Sequence, residues 1–397
     1  MKKLLTLLSI CLFICASCDK DDEGAAASVT KQAVIDNYAD IVLANYQDAH
    51  TTATQLSDKI NDFVSDPTAA SLQAAKDAWL AARNPYGQSE AFRFYGGPID
   101  DNDGPEGQLN AWPLDESYID NVEGNVNDGA NNVGTNIINS PTQFPTIDKA
   151  LIASLNEDGG ETNVSSGYHA IEFLLWGQDI STGPGGGERP LSDFVVTGDD
   201  TTPEARRGQY LKAAVALILD DLQSLIDEWK EGGSYRTFFT SQAELDNSLE
   251  KILAGIGKLS KGELAGERMF VAWDVKSKEH EHSCFSDNTH NDILYNAQGI
   301  QNVYLGKYVK VDGTTIDGPG IDDLVKAQNT TLNQELTDLL SSSLTKINAM
   351  QPPFDQEILA EPGRTRVKDA FDNLRDQGDK IAEVSALFGF TLDPSDI

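Results

Sequence analysis

The chain reads as all-α, built as two helical-bundle domains of long antiparallel helices. Three observations carry that expectation. Apolar residues return at three- and four-residue steps through stretch after stretch. The period-two alternation of half-buried strands is nearly absent. The length beyond the first thirty residues exceeds what one hydrophobic core usually serves.

The elements follow in order. Lys2 and Lys3 precede an apolar run, Leu4 to Ile14, broken only by Thr6 and Ser9. The run suits a signal h-region and falls short of the ~20 residues that span a bilayer. Small residues Ala16 and Ser17 then precede Cys18. Residues 1–17 are therefore expected to be a lipoprotein signal peptide, with lipidation at Cys18. Cys15 departs from the usual pattern, which carries Leu there, and an ordinary secretory cut near Ala16 or Ser17 is the alternative. Residues 18–30 form an acidic segment without apolar periodicity, expected to be a flexible tether. An acidic run directly after such a Cys resembles the export signal of surface lipoproteins. The expected location is the cell envelope, lipid-anchored, at the outer membrane on its periplasmic or surface face.

Val34, Tyr38, Ile41, Val42 and Tyr46, continued by Leu56, Ile60 and Phe63, predict the first long helix. Asp66-Pro67 ends it, and Leu72, Ala75, Trp79, Ala82 and Tyr86 mark the second. Residues 96–134, dense in Gly, Asp, Asn and Pro, predict loop with at most short helical turns. A second long connection runs from Thr182 to Pro203. Leu211, Val215, Ile218, Leu222, Leu225 and Trp229 mark the next long helix, stopped at Gly232-Gly233. Stripes at 245–259, 321–344 and 367–388 mark three more. A boundary at Asp199–Pro203 divides the body into an N-terminal bundle, 31–200, and a C-terminal bundle, 201–397. The similar halves suggest an internal duplication, with no residue-level repeat to carry it.

The formal charge is −33, and removing residues 1–17 takes away two lysines and no acids. Such a surface disfavours nucleic acid, which is held by neutralising phosphates, and attracts cations. After residue 18 the single cysteine is Cys284, so no disulfide framework holds the fold.

The sharpest chemical feature is Gly167-Tyr168-His169-Ala170-Ile171-Glu172 in an apolar helix. Three-residue spacing puts imidazole and carboxylate on one helix face. A buried charge there needs a partner, which is a metal shared by the two groups, an Arg or a structural hydrogen-bond network. Other patterns fail. There is no His-Glu-x-x-His pair; Asp100–Gly104 lacks the EF-hand spacing; Gly183–Gly187 is no phosphate loop. Trp112 and Trp176 read as packing residues, and Cys284 as a small buried hydrophobe.

Gly167-x-His169-x-x-Glu172 resembles the signature of the imelysin family. Further segments match in order: Arg83-x-x-Tyr86 with Glu90, Phe92-Arg93-Phe94 leading to Gly97-Pro98-Ile99-Asp100, Ala111-Trp112-Pro113, Gly266-Glu267-Arg268-Met269, and Glu281 through Thr289. The likeness spans the body and is closest to the iron-regulated, imelysin-like branch. It implies two helical bundles sharing a site, an envelope location, a link to iron acquisition and an old label as a metallopeptidase. Carried onto this chain, it implies His169, Glu172, Glu90, His282 and Asp287 as metal ligands. Gly167, Arg83, Glu267, Arg268, Glu281 and Ser283 would bind ligand or support the site. Without the family, His282 beside His280 and Glu281 reads equally as a solvated helix end.

Three functions are weighed. A lipid-anchored protein would bind a metal ion or an iron-bearing ligand, with iron favoured and zinc the alternative. A metallopeptidase would activate water with a Glu as base; no catalytic residue is assigned. A scaffold would engage an envelope protein partner.

Overall fold

The structure, a computed structural model, describes residues 29–123 and 136–392. The signal segment, Cys18 and nearly all of the tether lie outside the described residues.

Thr30 caps α1 (Lys31–Ser65), its hydroxyl accepting from the Ala33 amide. The helix runs to the Asp66-Pro67 stop, where proline cannot continue the ladder. Thr68 and Ser71 close a capping box and start α2 (Ala69–Ser89), which turns back onto α1. A 3-10 turn, Glu90–Phe92, ends α2 and carries Glu90.

Among its described residues the expected loop region holds two short turns, α3 (Glu106–Asn110) and α4 (Glu116–Ile119). α5 (Lys149–Leu155) and α6 (Gly167–Trp176) follow, and every residue of α6 is buried. α7 (Pro203–Trp229) starts with proline in its first turn and packs on α1 and α6. The first bundle is thus α1, α2, α6 and α7, and it reaches past the connection at 199–203. Arg206 and Arg207 show why α7 belongs there. Arg206 donates to the carbonyls of Ile137, Ile138 and Phe144, and Arg207 pairs with buried Asp120, as does Arg189. Both anchors lie in the first half of the sequence, so leaving α7 elsewhere would strand buried charge.

The second bundle begins with α8 (Ser234–Phe239) and α9 (Leu245–Lys258). α9 continues without a break as a π-helical stretch, Leu259–Phe270, and then as α10 (Val271–Val275). A strap, Glu281–Asn288, leads into α11 (Thr289–Leu305). A hairpin of β1 (Lys307–Val309) and β2 (Thr315–Asp317) pairs Tyr308 with Ile316, and the Tyr308 hydroxyl donates to Asp48 of α1. The expected helix at 321–344 is two, α12 (Ile321–Gln328) and α13 (Thr330–Ala349), because Asn329 caps the second through the Leu332 amide. α14 (Phe354–Glu357) and α15 (Gly363–Leu387) are the last helices among the described residues, with α15 packed along α13 and the π stretch.

α11 joins the bundles, packing on α2 on one side and α13 on the other. The crossing is close: a Cβ on Gly299 would stand 2.3 Å from the Gln88 carbonyl oxygen, so only glycine fits. No helix among the described residues is long and apolar enough to cross a membrane.

Candidate functional site

The site grows from the first turn of α6. Gly167 has φ +81°, and a Cβ there would lie 2.4 Å from the Leu109 carbonyl oxygen. Glycine is the residue that lets α6 start against α3, and that start sets the depth of His169 two residues on.

One turn separates His169 from Glu172, and the helix spacing places Nδ1 2.9 Å from Oε2. The other Glu172 oxygen accepts from the Ser286 amide at 2.9 Å and the Ser286 hydroxyl at 2.7 Å. Ser286 lies on the strap, so the second half of the chain closes over the signature. The strap also brings in His282, whose ring centroid lies 4.7 Å from that of His169 at an interplanar angle of 76°. His282 is buried, not at a solvated helix end. Its Nδ1 faces Asp292 of α11 at 3.1 Å.

Asp292 gathers contacts from α2 and the strap. It accepts from Arg83 of α2 at 3.1 Å and from the Ser283 hydroxyl. Arg83 Nη1 donates to Asn110 Oδ1 at 2.6 Å, which turns the Asn110 amide nitrogen toward Glu90 Oε1 at 3.3 Å and His282 Nε2 at 3.5 Å. Glu90 Oε2 sits between Arg93 at 2.6 Å and Arg268 at 2.8 Å. Arg268, on the π stretch, also donates to Asn296 at 2.6 Å. π-helical backbone is rare and concentrates at functional positions, and here it carries a buried guanidinium into the site. One continuous network therefore ties both bundles together beneath the two imidazoles.

Its protonation states follow from burial. Burial pushes His169 well below the usual imidazole range, and Arg83 adds to the effect. Burial, with Arg268, takes His282 down to about 3. Both rings are neutral at pH 7. Burial raises Glu172 to about 8, against the opposing Ser286 hydroxyl. Burial would also raise Glu90, yet Arg93 and Arg268 together hold it at about 2. Burial of Asp292 is likewise overcome, by Arg83 first, and its carboxyl stays far below the usual range. His282 is uncharged at neutral pH, so Arg83 is the cation that keeps Asp292 ionised.

These contacts assign the tautomers. The charged Asp292 takes the His282 Nδ1–H, leaving a lone pair on Nε2 toward the Asn110 amide. His169 Nε2 is buried and has no hydrogen-bond partner. His282 is thus held through Nδ1 by a carboxylate, and His169 is held in the same way once Glu172 ionises; each then presents Nε2, the arrangement in which histidine ligates metal. Two imidazoles on one ion at about 2.1 Å would have centroids roughly 5 Å apart, matching the separation here. Among the described residues no three His, Cys, Asp or Glu side chains converge as ligands.

The expected ligand set therefore divides. His169 and His282 come together. Glu172 orients His169, and Glu90 is locked between guanidiniums. Asp287 stands apart, with φ +57° and its carboxylate accepting from the Gly185 amide at 2.8 Å, where it fastens the Gly-rich connection to the strap. Arg83 and Arg268 neutralise the buried acids Asp292 and Glu90. Ser283 serves Asp292. Glu267 is exposed on the outer side of the π stretch. Glu281 is fully buried and turned toward Asp355, Asp287 and Asp179; burial first, then those charges, lift its carboxyl well above the usual range. Trp176 packs on Trp79 as expected, while half-buried Trp112 stands edge-on to His282 at 5.9 Å. Asp292, Asn110, Asn296 and Ser286 were not foreseen. A signal existed for two of them: Asn288, Asp292 and Asn296 form a polar stripe at four-residue spacing from the cap of α11 onward.

A sequence model of the family described as Imelysin matches residues 42–381. Iron-regulated protein A of Synechococcus elongatus is 23% identical over 353 residues, covering 86% of this chain and 82% of that protein. A crystal structure described as an iron-regulated protein A precursor, from Parabacteroides distasonis, superposes with a TM-score of 0.70 at 22% identity, covering 92% of this chain and 97% of that one. An imelysin-like protein from Psychrobacter arcticum superposes with a TM-score of 0.62 at 14% identity, covering 93% and 99%.

Proposed function

The chain belongs to the imelysin family, and from that premise we propose that it is an iron-related envelope protein that binds a metal ion, or a ligand carrying one, between its two bundles. The observation that carries the reading is His169: Nδ1 is held by Glu172, and Nε2 is buried without a partner. An unpaired polar atom in a closed interior costs about 1–3 kcal/mol. A metal–nitrogen bond relieves that cost and uses the tautomer that Glu172 selects once ionised. His282 supplies a second nitrogen under the same control from Asp292. Imidazole nitrogen with water or oxygen donors in the remaining positions suits iron(II), with zinc(II) the alternative.

The network explains why so much charge is buried here. Arg83–Asp292 and Arg268–Glu90 each pair one bundle with the other, at nearly complete burial. Such pairs seldom add net stability over apolar packing, but they fix geometry, and the geometry fixed is that of the two rings.

Hydrolysis of peptides would require a carboxylate free to act as base beside metal-bound water. Both Glu172 oxygens are engaged, and Glu90 is held ionised by two guanidiniums. Binding is therefore the reading the geometry favours. Residues 1–18 support attachment to the envelope through a lipid on Cys18.

The test is the iron and zinc content and affinity of the purified protein beside His169→Ala. Stoichiometric metal in the first and none in the second is expected. Equal metal in both, or none in either, would reject the site.

A further inference from the structure

Two small cavities open on the outer side of the strap. One has a volume of about 240 Å³ and the other about 210 Å³. Glu116, Glu279, Cys284 and Phe285 line both, so the two are lobes of one vestibule. The vestibule abuts the imidazole site. Trp112 walls the smaller lobe and stands edge-on to His282 at 5.9 Å, so one ring separates lobe from ligand. Cys284 lies two residues beyond His282 in sequence, and its thiol feels the charges of Glu172 on the inner side and of Glu116 and Glu279 on the outer.

We infer that this vestibule is the access route to His169 and His282, and that it admits metal as a free hydrated cation and excludes haem and bulky ferric chelates. The inference rests on the metal-binding reading above and names the form in which the metal arrives.

Size argues for it first. Six waters of hydration occupy roughly 180 Å³ at about 30 Å³ each, so a hydrated ion fits either lobe. Sites for larger organic ligands run to about 300–1,000 Å³, above either lobe taken singly. Charge argues second. Asp115, Glu116 and Glu279 line the lobes, and the one lysine there, Lys278, is spent on Asp179 at 2.8 Å and on two loop carbonyls. A cleft of one sign concentrates counter-ions and speeds their capture. The destination argues third, since the unpartnered His169 Nε2 asks for a cation. A larger cleft of about 590 Å³ lies alongside, around Phe173, Arg189 and Gly185–Gly187, and has room for a porphyrin. Among the described residues its lining has no His, Cys, Met or Tyr to ligate a haem iron.

The experiment compares the full protein with Glu279→Gln and Glu116→Gln/Glu279→Gln in stopped-flow binding of manganese(II) and anaerobic iron(II), at low salt and at about 0.5 M salt. Thermal melts check that each variant is folded; the exposed Glu279 makes the single variant safe if the double is not. Hemin is titrated in parallel and followed by its absorbance. The expected result is an on-rate lowered about tenfold in the double variant and less in the single, most marked at low salt, with unchanged off-rates. Hemin should give no spectral shift that depends on His169. Wild-type on-rates in folded variants at every salt concentration would overturn the route. A hemin shift abolished by His169→Ala would overturn the cargo. Both failures leave metal binding standing, whereas a wild type that binds neither metal removes the underlying reading and this one with it.

Discussion

Replacing Glu172 by Gln should stabilise the metal-free protein at alkaline pH and abolish its metal binding. The carboxyl is buried and raised to about 8, against an ordinary value near 4.5. In the unfolded chain it ionises on passing 4.5, while the folded chain holds its proton until about 8. The folded state therefore binds more protons across that interval, and stability falls as pH rises through it. At about 1.4 kcal/mol per unit the loss approaches roughly 5 kcal/mol at pH 8, an upper bound for a buried group whose surroundings relax. Gln keeps the acceptor that serves Ser286 and offers an amide N–H to His169 Nδ1, so it preserves the packing and removes the titration. That same N–H forces the His169 proton onto Nε2, the wrong tautomer for a ligand. Urea denaturation of both proteins with chelator, from pH 5 to 9, isolates the effect as the difference between the curves, because Asp221 and Asp287 titrate equally in both. Wild type should lose stability relative to the variant as pH rises, and added metal should restore it. Parallel curves, or a variant that binds metal like wild type, would refute the assignment of Glu172 as the group that sets the tautomer.

Asp292→Ala leaves Arg83 buried without its carboxylate and frees His282, so urea denaturation should show a loss of about 3–5 kcal/mol. Gly167→Ala places a methyl group against the Leu109 carbonyl at a positive φ; we expect a loss of about 2–3 kcal/mol and weakened metal binding, read by thermal melting and titration. Acid should also destabilise the protein: both imidazoles are held neutral in the folded state and charge in the unfolded one, so stability falls below about pH 6.5, and His282→Gln should blunt that slope in a pH series. Cys18→Ala should abolish labelling by radioactive fatty acid and release the protein from the membrane fraction.

Long helices were legible because their cause is local. A stripe such as Val34, Tyr38, Ile41, Val42 states helix and buried face together. The His169–Glu172 contact was legible for the same reason, since three residues of helix bring those atoms within reach whatever else the chain does. The stop at Asp66-Pro67 and the loop composition after Gly96 are equally local facts. Their chemical meaning was not: the pair could share a metal or form a structural hydrogen-bond network, and the Ser286 contacts and the unpartnered Nε2 that bear on the choice come only with the fold. Placement of α7 depended on Arg206 and Arg207 meeting partners more than sixty residues earlier. Arg83 meeting Asp292, Arg268 meeting Glu90 and His282 meeting His169 each join residues more than a hundred positions apart. Nothing in residue type or spacing selects such partners, because closing so long a loop is repaid only when the rest of the core forms at the same time. The sequence by itself determined the helices and the signature pair; the tertiary structure alone decided which charges are buried together, and so left the His169 Nε2 without a partner.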